Sequence, residues 1–171
     1  METWDAIRAR RNVRSFTDEP IAETELERIL EAARRSPSAR NGQPWDFVVV
    51  TDRAQLQALS QVWVGAAHVA TSAATIALIA PSLDDAREKS IEQYDLGQAT
   101  MSILIAAADL GLGTGHSAVG DQDLARRLLH LPADRICSYL IALGHPADRP
   151  LAPLTKINRR PFDEVVHRGH W

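Results

Sequence analysis

Apolar residues fall at helical spacing in ETELERILEAARR, residues 23–35, where Leu26, Ile29, Leu30 and Ala33 stand at i, i+3, i+4 and i+7. That stripe predicts an amphipathic helix with Glu23, Glu27 and Glu31 on its polar face. Ser36-Pro37-Ser38 ends it, because proline cannot continue the hydrogen-bond ladder and pushes its predecessor toward extended geometry. The next stretch, SPSARNGQP, is rich in Ser, Asn, Gly and Pro and reads as a loop. WDFVVVT, residues 45–51, is aromatic and β-branched and predicts a strand; ATIALI from Ala74 and ICSYLIALG from Ile136 predict two more. Between those two runs the longest helical stripe, from Asp95 to about Leu110, carried by Leu96, Ala99, Thr100, Ile103, Ala107 and Leu110. Asp95 is expected at that helix's N-terminus, where a carboxylate favours the dipole, and Gly97 with the many alanines implies close packing against another element. A short helix from about Trp4 and another from Asp121 to Leu129, stopped at Pro132, complete the elements. Helices and strands mix without a strict βαβ rhythm, so the fold class is α+β, a sheet flanked by helices.

The tail does not fit a packed element. HPADRPLAPLTKINRRP holds four prolines in 17 residues, and FDEVVHRGHW after it carries a short strand-like run and ends in Trp171. The economical reading is an arm, residues 145–171, that crosses to a partner subunit; a tail wrapping its own domain is the alternative.

Composition narrows the class. A chain of 171 residues, 45% hydrophobic, is a single domain over 1–171 that buries roughly two-thirds of its unfolded surface without disulfides or structural metal. The lone Cys137 excludes an internal disulfide, no Cys/His spacing suggests zinc, and a reducing cytoplasm fits. METWDAIRARR is charged where a secretion signal needs an apolar run. AAHVATSAATIALIAP, broken by His68 and Pro81, is too short to span a membrane. The net charge is only −3, yet cations crowd at Arg8, Arg10, Arg11 and Arg14, at Arg34, Arg35 and Arg40, and at Lys156, Arg159 and Arg160. Separate basic patches on a mildly acidic chain point to a local anion site and away from nucleic acid, which would normally require a basic domain.

In RARRNVRSF the arginines cannot share one helical face, and Asn12-Val13 is a natural helix end, so guanidiniums and backbone N–H groups can converge on a phosphate. Taken alone, such a cluster more often means a solvated charge run. SPSARNGQPWDF offers hydroxyl, amide and backbone donors to a polar heteroaromatic ring, held rigid by Pro37 and Pro44. GLGTGHSAVG, residues 111–120, is a glycine-rich loop, but it follows a helix where a Rossmann turn follows a strand, and it lacks the Walker Lys-Ser/Thr. His167 and His170 have no third metal ligand nearby, Cys137 reads as a buried inert thiol, and Trp63 as a core residue.

RARRNVRSF, SPSARNGQPWDF, DLGQATMSILIAAADLGLGTG and LGHPADRPLAPLTKINRRPFDEVVH, in that order and spacing, resemble the FMN-dependent nitroreductase family over nearly the whole chain. The resemblance implies a central mixed or antiparallel sheet and an intertwined homodimer with exchanged C-terminal arms and FMN at the interface. Arg10, Arg11 and Asn12 would then bind the phosphate and ribityl chain, and Arg14 would lie beside flavin N1 and O2. Pro37, Ser38, Ala39, Asn41 and Gln43 of the other subunit would pack on the ring. His116, Ser117 and Ala118 would lay their backbone along N5, with His116 either a proton donor or a residue held for shape. Arg159, with Lys156 or Arg160, would supply the second phosphate ligand.

The activity so implied moves a hydride from NADH or NADPH through the flavin to a nitroaromatic, a quinone or a similar small electrophile, in ping-pong order and without a catalytic acid. No metal, nucleic acid or membrane partner is expected. Another specialised member of the same fold, such as an FMN-dependent dehydrogenase, is one alternative. A non-redox nucleotide- or nucleic-acid-binding module using the arginine clusters is the other.

Overall fold

A computed structural model describes residues 1–155 and 158–171; Lys156, one of the expected phosphate ligands, lies outside the described residues. Four strands, β1 (Asp46–Val50), β2 (Ala74–Pro81), β3 (Gly113–Ala118) and β4 (Arg135–Gly144), form one antiparallel sheet in the order β1-β2-β4-β3. Strand β2 is buried from Ala74 through Ala80, and helices or turns cover both its faces, so its sequence is an unbroken apolar run instead of an alternation.

On one face, Ile76, Leu78, Ile141 and Leu143 meet Ile29 and Ala33 of α2 (Glu23–Arg34) and Leu96, Ile103 and Ala107 of α4 (Ala86–Asp109). On the other, Ala77, Ile79, Leu140 and Ala142 meet α3 (Arg53–Leu59), a 3-10 segment (Val64–Thr71) and α5 (Gln122–Leu129). Val13 and Phe16 join that second layer from the segment after α1 (Thr3–Ala9). The result is α+β, an antiparallel sheet flanked by helices, as the pattern predicts.

Helix α3 and the 3-10 segment after it are absent from the sequence reading, and three expected elements take another form. Helix α4 begins at Ala86 and not at Asp95, capped by the Asp85 carboxylate, which accepts from the N–H groups of Arg87 and Glu88. Residues 86–91 are exposed all round, so they carry no apolar stripe to read. Asp95 therefore lies buried in mid-helix and is no N-terminal carboxylate, while Gly97 packs against nothing in this chain. GLGTGHSAVG is not a loop: Gly111, at φ 78°, ends α4, and 113–118 become β3. The glycines that hide this strand are required, because a Cβ at Gly113 would meet the Val13 side chain and one at Gly115 the Val13 carbonyl and the His68 ring. Lastly, FDEVVHRGHW forms a 3-10 turn, Phe162–Glu164, where a strand was expected.

The first ten residues of the tail stay on their own domain. Thr17 N–H donates to the His145 carbonyl (2.9 Å), Ala147 N–H to Ser15 (3.0 Å) and Leu154 N–H to Arg8 (3.2 Å). Farther on, Phe162, Val165, Val166 and Trp171 are exposed.

Candidate active site

Two groups of residues form, and α4 separates them. The first gathers where residues 10–16 run along the outer edge of β3. Val13 N–H donates to the Thr114 carbonyl at 2.8 Å, and Asn12 bridges to Thr114 in parallel. Val13 is buried and Arg14 exposed, so the chain tucks one side chain into the core and presents the next. Because Thr114 turns its backbone groups to this edge, the two-residue period of a strand aims the N–H groups of His116 and Ala118 the same way.

Arg14 Nη1 lies 3.1 Å from His68 Nδ1, and His68 Nε2 lies 3.0 Å from the Gly115 carbonyl. Burial drives the His68 pKa down, with Arg14 adding to that. His116 is also lowered, by burial first and then by Arg14 and Arg10, which places these cations near it. Arg10 has a buried Nε without a hydrogen-bond partner among the described residues. The Ser117 hydroxyl donates to the Ala118 carbonyl at 2.9 Å. His116 also borders a cavity of about 240 Å³ with Gln93, Gly97, Thr100 and Tyr139.

The second group is the loop after α2. The Asp95 carboxylate accepts from Ala39 N–H at 3.0 and 3.2 Å, and the Ser38 hydroxyl accepts from Gln43 N–H at 2.9 Å. These anchors hold Arg40, Asn41 and Gln43 at φ 54°, 55° and 48°, a left-handed geometry that non-glycine residues adopt at some strain, often at functional sites. The side chains of Asn41 and Gln43 are left exposed. A cavity of about 520 Å³ lies between Pro37, Ser38 and the α4 residues Ile91, Tyr94 and Gln98. Positions 91, 94 and 98 face the loop while 93, 97 and 100 face His116, so the two groups look onto different sides of one helix.

Other expected residues lie elsewhere. Arg11 is committed to the tail, with Nη2 at 2.7 Å from both an Asp148 carboxylate oxygen and the Arg149 carbonyl. Arg159 donates to the Asn158 carbonyl and Arg160 to Glu164. Burial pushes the Cys137 thiol up to about 12, as an inert thiol requires. Trp63 is not a core residue: it is half exposed and lies so close over Gly120 that a Cβ there would strike its ring. His167 stacks on Trp171, with centroids 4.4 Å apart. His68, against Arg14, and Asp95, against the Ala39 N–H, are contacts of these two groups that sequence reasoning missed. The signal for His68 was a polar ring inside the apolar run VGAAHVAT.

The sequence profile of the nitroreductase family matches residues 7–80 and 57–145. The chain is 30% identical to an NADH dehydrogenase of Thermus thermophilus, over 97% of this chain and 95% of that protein. It is 31% identical to an oxygen-insensitive NADPH nitroreductase of Salmonella typhimurium, over 99% of this chain and 74% of the other. Among solved structures, an NADPH:FMN oxidoreductase from Vibrio harveyi, complexed with NAD+, superposes with a TM-score of 0.84 at 25% identity, covering 97% and 76% of the two chains. The chain belongs to the nitroreductase family.

Proposed function

We propose that this protein is an FMN-dependent oxidoreductase that takes a hydride from NADH or NADPH and passes it to a nitroaromatic, a quinone or a similar electrophile, acting as a cytoplasmic homodimer. The observation that carries this reading is the cation-lined edge of β3. There Arg10 with its unpartnered Nε, the exposed Arg14, Asn12 and the N–H groups of His116 and Ala118 gather beside glycines that admit no side chain. A donor-rich, cation-rich edge fits a planar ligand with a phosphate and an electron-rich pyrimidine side, as FMN has. Names of relatives that specify FMN and NAD(P)H support the same reading.

Bound FMN supplies the hydride chemistry, and the protein orients and tunes it. Arg10 and Asn12 would hold the phosphate and ribityl chain. Arg14 would stand beside N1 and O2, where negative charge collects on reduction and a fixed cation counts most. The Ala118 N–H would orient N5. The left-handed loop, with Pro37, Ser38, Ala39, Asn41 and Gln43, would close on the ring from the partner, since α4 keeps it from the β3 edge of its own chain. The second phosphate ligand would come from Arg159 or Arg160 once the tail crosses to the partner, with Arg11 steadying the base of that tail. Among the described residues no helix is long and apolar enough to cross a membrane.

The test is to release the chromophore by heating and identify it by mass, then titrate the holoprotein anaerobically with each nicotinamide. Stoichiometric FMN reduced by one or both is the expected result. FAD, or no flavin at any expression level, would overturn the reading.

A further inference from the structure

We propose that His68 is a positioning residue for Arg14, locked as the neutral Nε2–H tautomer between that guanidinium and the Gly115 carbonyl; this rests on the placement of Arg14 in the site above. The chemistry of the partners assigns both ring nitrogens. A guanidinium has donors only, so Nδ1, at 3.1 Å from Arg14 Nη1, must accept. A carbonyl oxygen accepts only, so Nε2, at 3.0 Å from Gly115, must carry the hydrogen. A protonated ring would turn an N–H toward the guanidinium and set two like charges side by side. The charged groups near the ring are Arg14 from the N-terminal segment and His116 from β3; burial above all, with these two, lowers its pKa against the backbone carbonyls of Gly115 and Gly65, which favour the protonated ring.

This arrangement has a purpose that the exposed Arg14 cannot meet alone. A long exposed side chain loses rotamer freedom when it is fixed, and a cation stabilises developing charge best when it is already in place. His68 is buried. Its ring fills the space over Gly115 that a Cβ would take, so ring, glycine and the Val13 carbonyl interlock. Arg14 is thereby tied to the strand whose next residues, His116 to Ala118, line the same edge.

The deciding measurement is the two-electron reduction potential of the bound flavin in four proteins: wild type, His68→Phe, Arg14→Ala and the double variant. His68→Phe should lower the reduced-to-oxidised ratio at a fixed poise by roughly threefold to tenfold, about 15 to 30 mV for a two-electron couple. His68→Asn, which retains an acceptor near the Nδ1 position, should restore most of the shift. In the Arg14→Ala background, His68→Phe should shift nothing further. An unchanged potential, or the same shift in both backgrounds, overturns the role while leaving a yellow protein and the reading of the site intact. A colourless protein overturns both. Ring 15N shifts of the wild-type holoprotein need no variant: a protonated Nε2 with a bare Nδ1 is expected, and the opposite tautomer or a charged ring overturns the proposal.

Discussion

Arg14 and His116 are exposed while His68 is buried, yet the three share one electrostatic neighbourhood. If Arg14 stabilises charge at the reduced ring, Arg14→Ala should make the flavin harder to reduce, by roughly 30 mV, equivalent to about 1.4 kcal/mol. That is the size of one lost charge-assisted hydrogen bond, and an unchanged potential in a variant that still binds FMN would assign Arg14 a structural job. The histidines also link folding to pH. Both are held below the ordinary imidazole pKa in the native protein, so as pH falls the unfolded chain takes up protons before the folded one does. Stability is fully present above about pH 6.5 and declines below it. Urea titrations from pH 7.5 to 5 should show that decline, and His68→Asn should flatten it; a wild-type profile with no slope there would contradict the burial of a neutral imidazole. Arg14 was legible in the sequence because its motif is local. His68 was not, since its partners are 54 and 47 residues away.

At the scale of elements, α4 does more than pack on the sheet. Its mid-helix Asp95 reaches out to fasten the loop that carries Asn41 and Gln43. Asp95→Ala should remove both contacts to Ala39 N–H and cost about 1.5 to 3 kcal/mol, the range for hydrogen bonds to a charged group. Amide exchange should quicken in residues 39–43 and flavin affinity should fall, while the sheet amides keep their protection. Uniform loss of protection would instead mean that Asp95 supports the whole fold. Strand β3 makes the opposite demand. Gly115→Ala places a methyl against the backbone of Val13 and the ring of His68, and overpacking of that kind typically costs about 1 to 3 kcal/mol. Thermal melts of this variant should show a clear loss. Periodicity recovered α2, α5 and strands β1, β2 and β4, whose apolar residues signal their period. It missed the first turns of α4 because they face solvent on all sides, β3 because its glycines exist to let another segment lie across it, and α3 because its seven residues bury only Leu56 and Leu59.

For the whole molecule, the tail divides into a docked part and a free part. Residues 145–154 are hydrogen-bonded to the chain's own N-terminal segment, and Leu151 packs against the core. Phe162, Val165, Val166 and Trp171 are left to solvent. If the free part crosses to a partner, deleting 155–171 should abolish the dimer and the bound flavin with little loss of protomer stability. Deleting from Pro146 onward should in addition destabilise the protomer, by uncovering Phe16 and the cleft filled by Leu151. Sedimentation, absorbance at the flavin band and chemical denaturation distinguish these outcomes, and a protein truncated at 155 that stays dimeric and yellow would refute the crossing. The sequence by itself determined the fold class, most of the core and the family, because local periodicity and short motifs encode them over a few turns of chain. It also marked Arg10, Arg14 and the 37–43 loop as chemistry. Only the tertiary structure decided that Arg11 bonds to the tail, that Asp95 anchors the 39–43 loop, that His68 lies against Arg14, and that α4 stands between the β3 edge and that loop. Each of these is a contact between residues far apart in sequence, and no local pattern records which distant group will come to face a given side chain once the layers have packed.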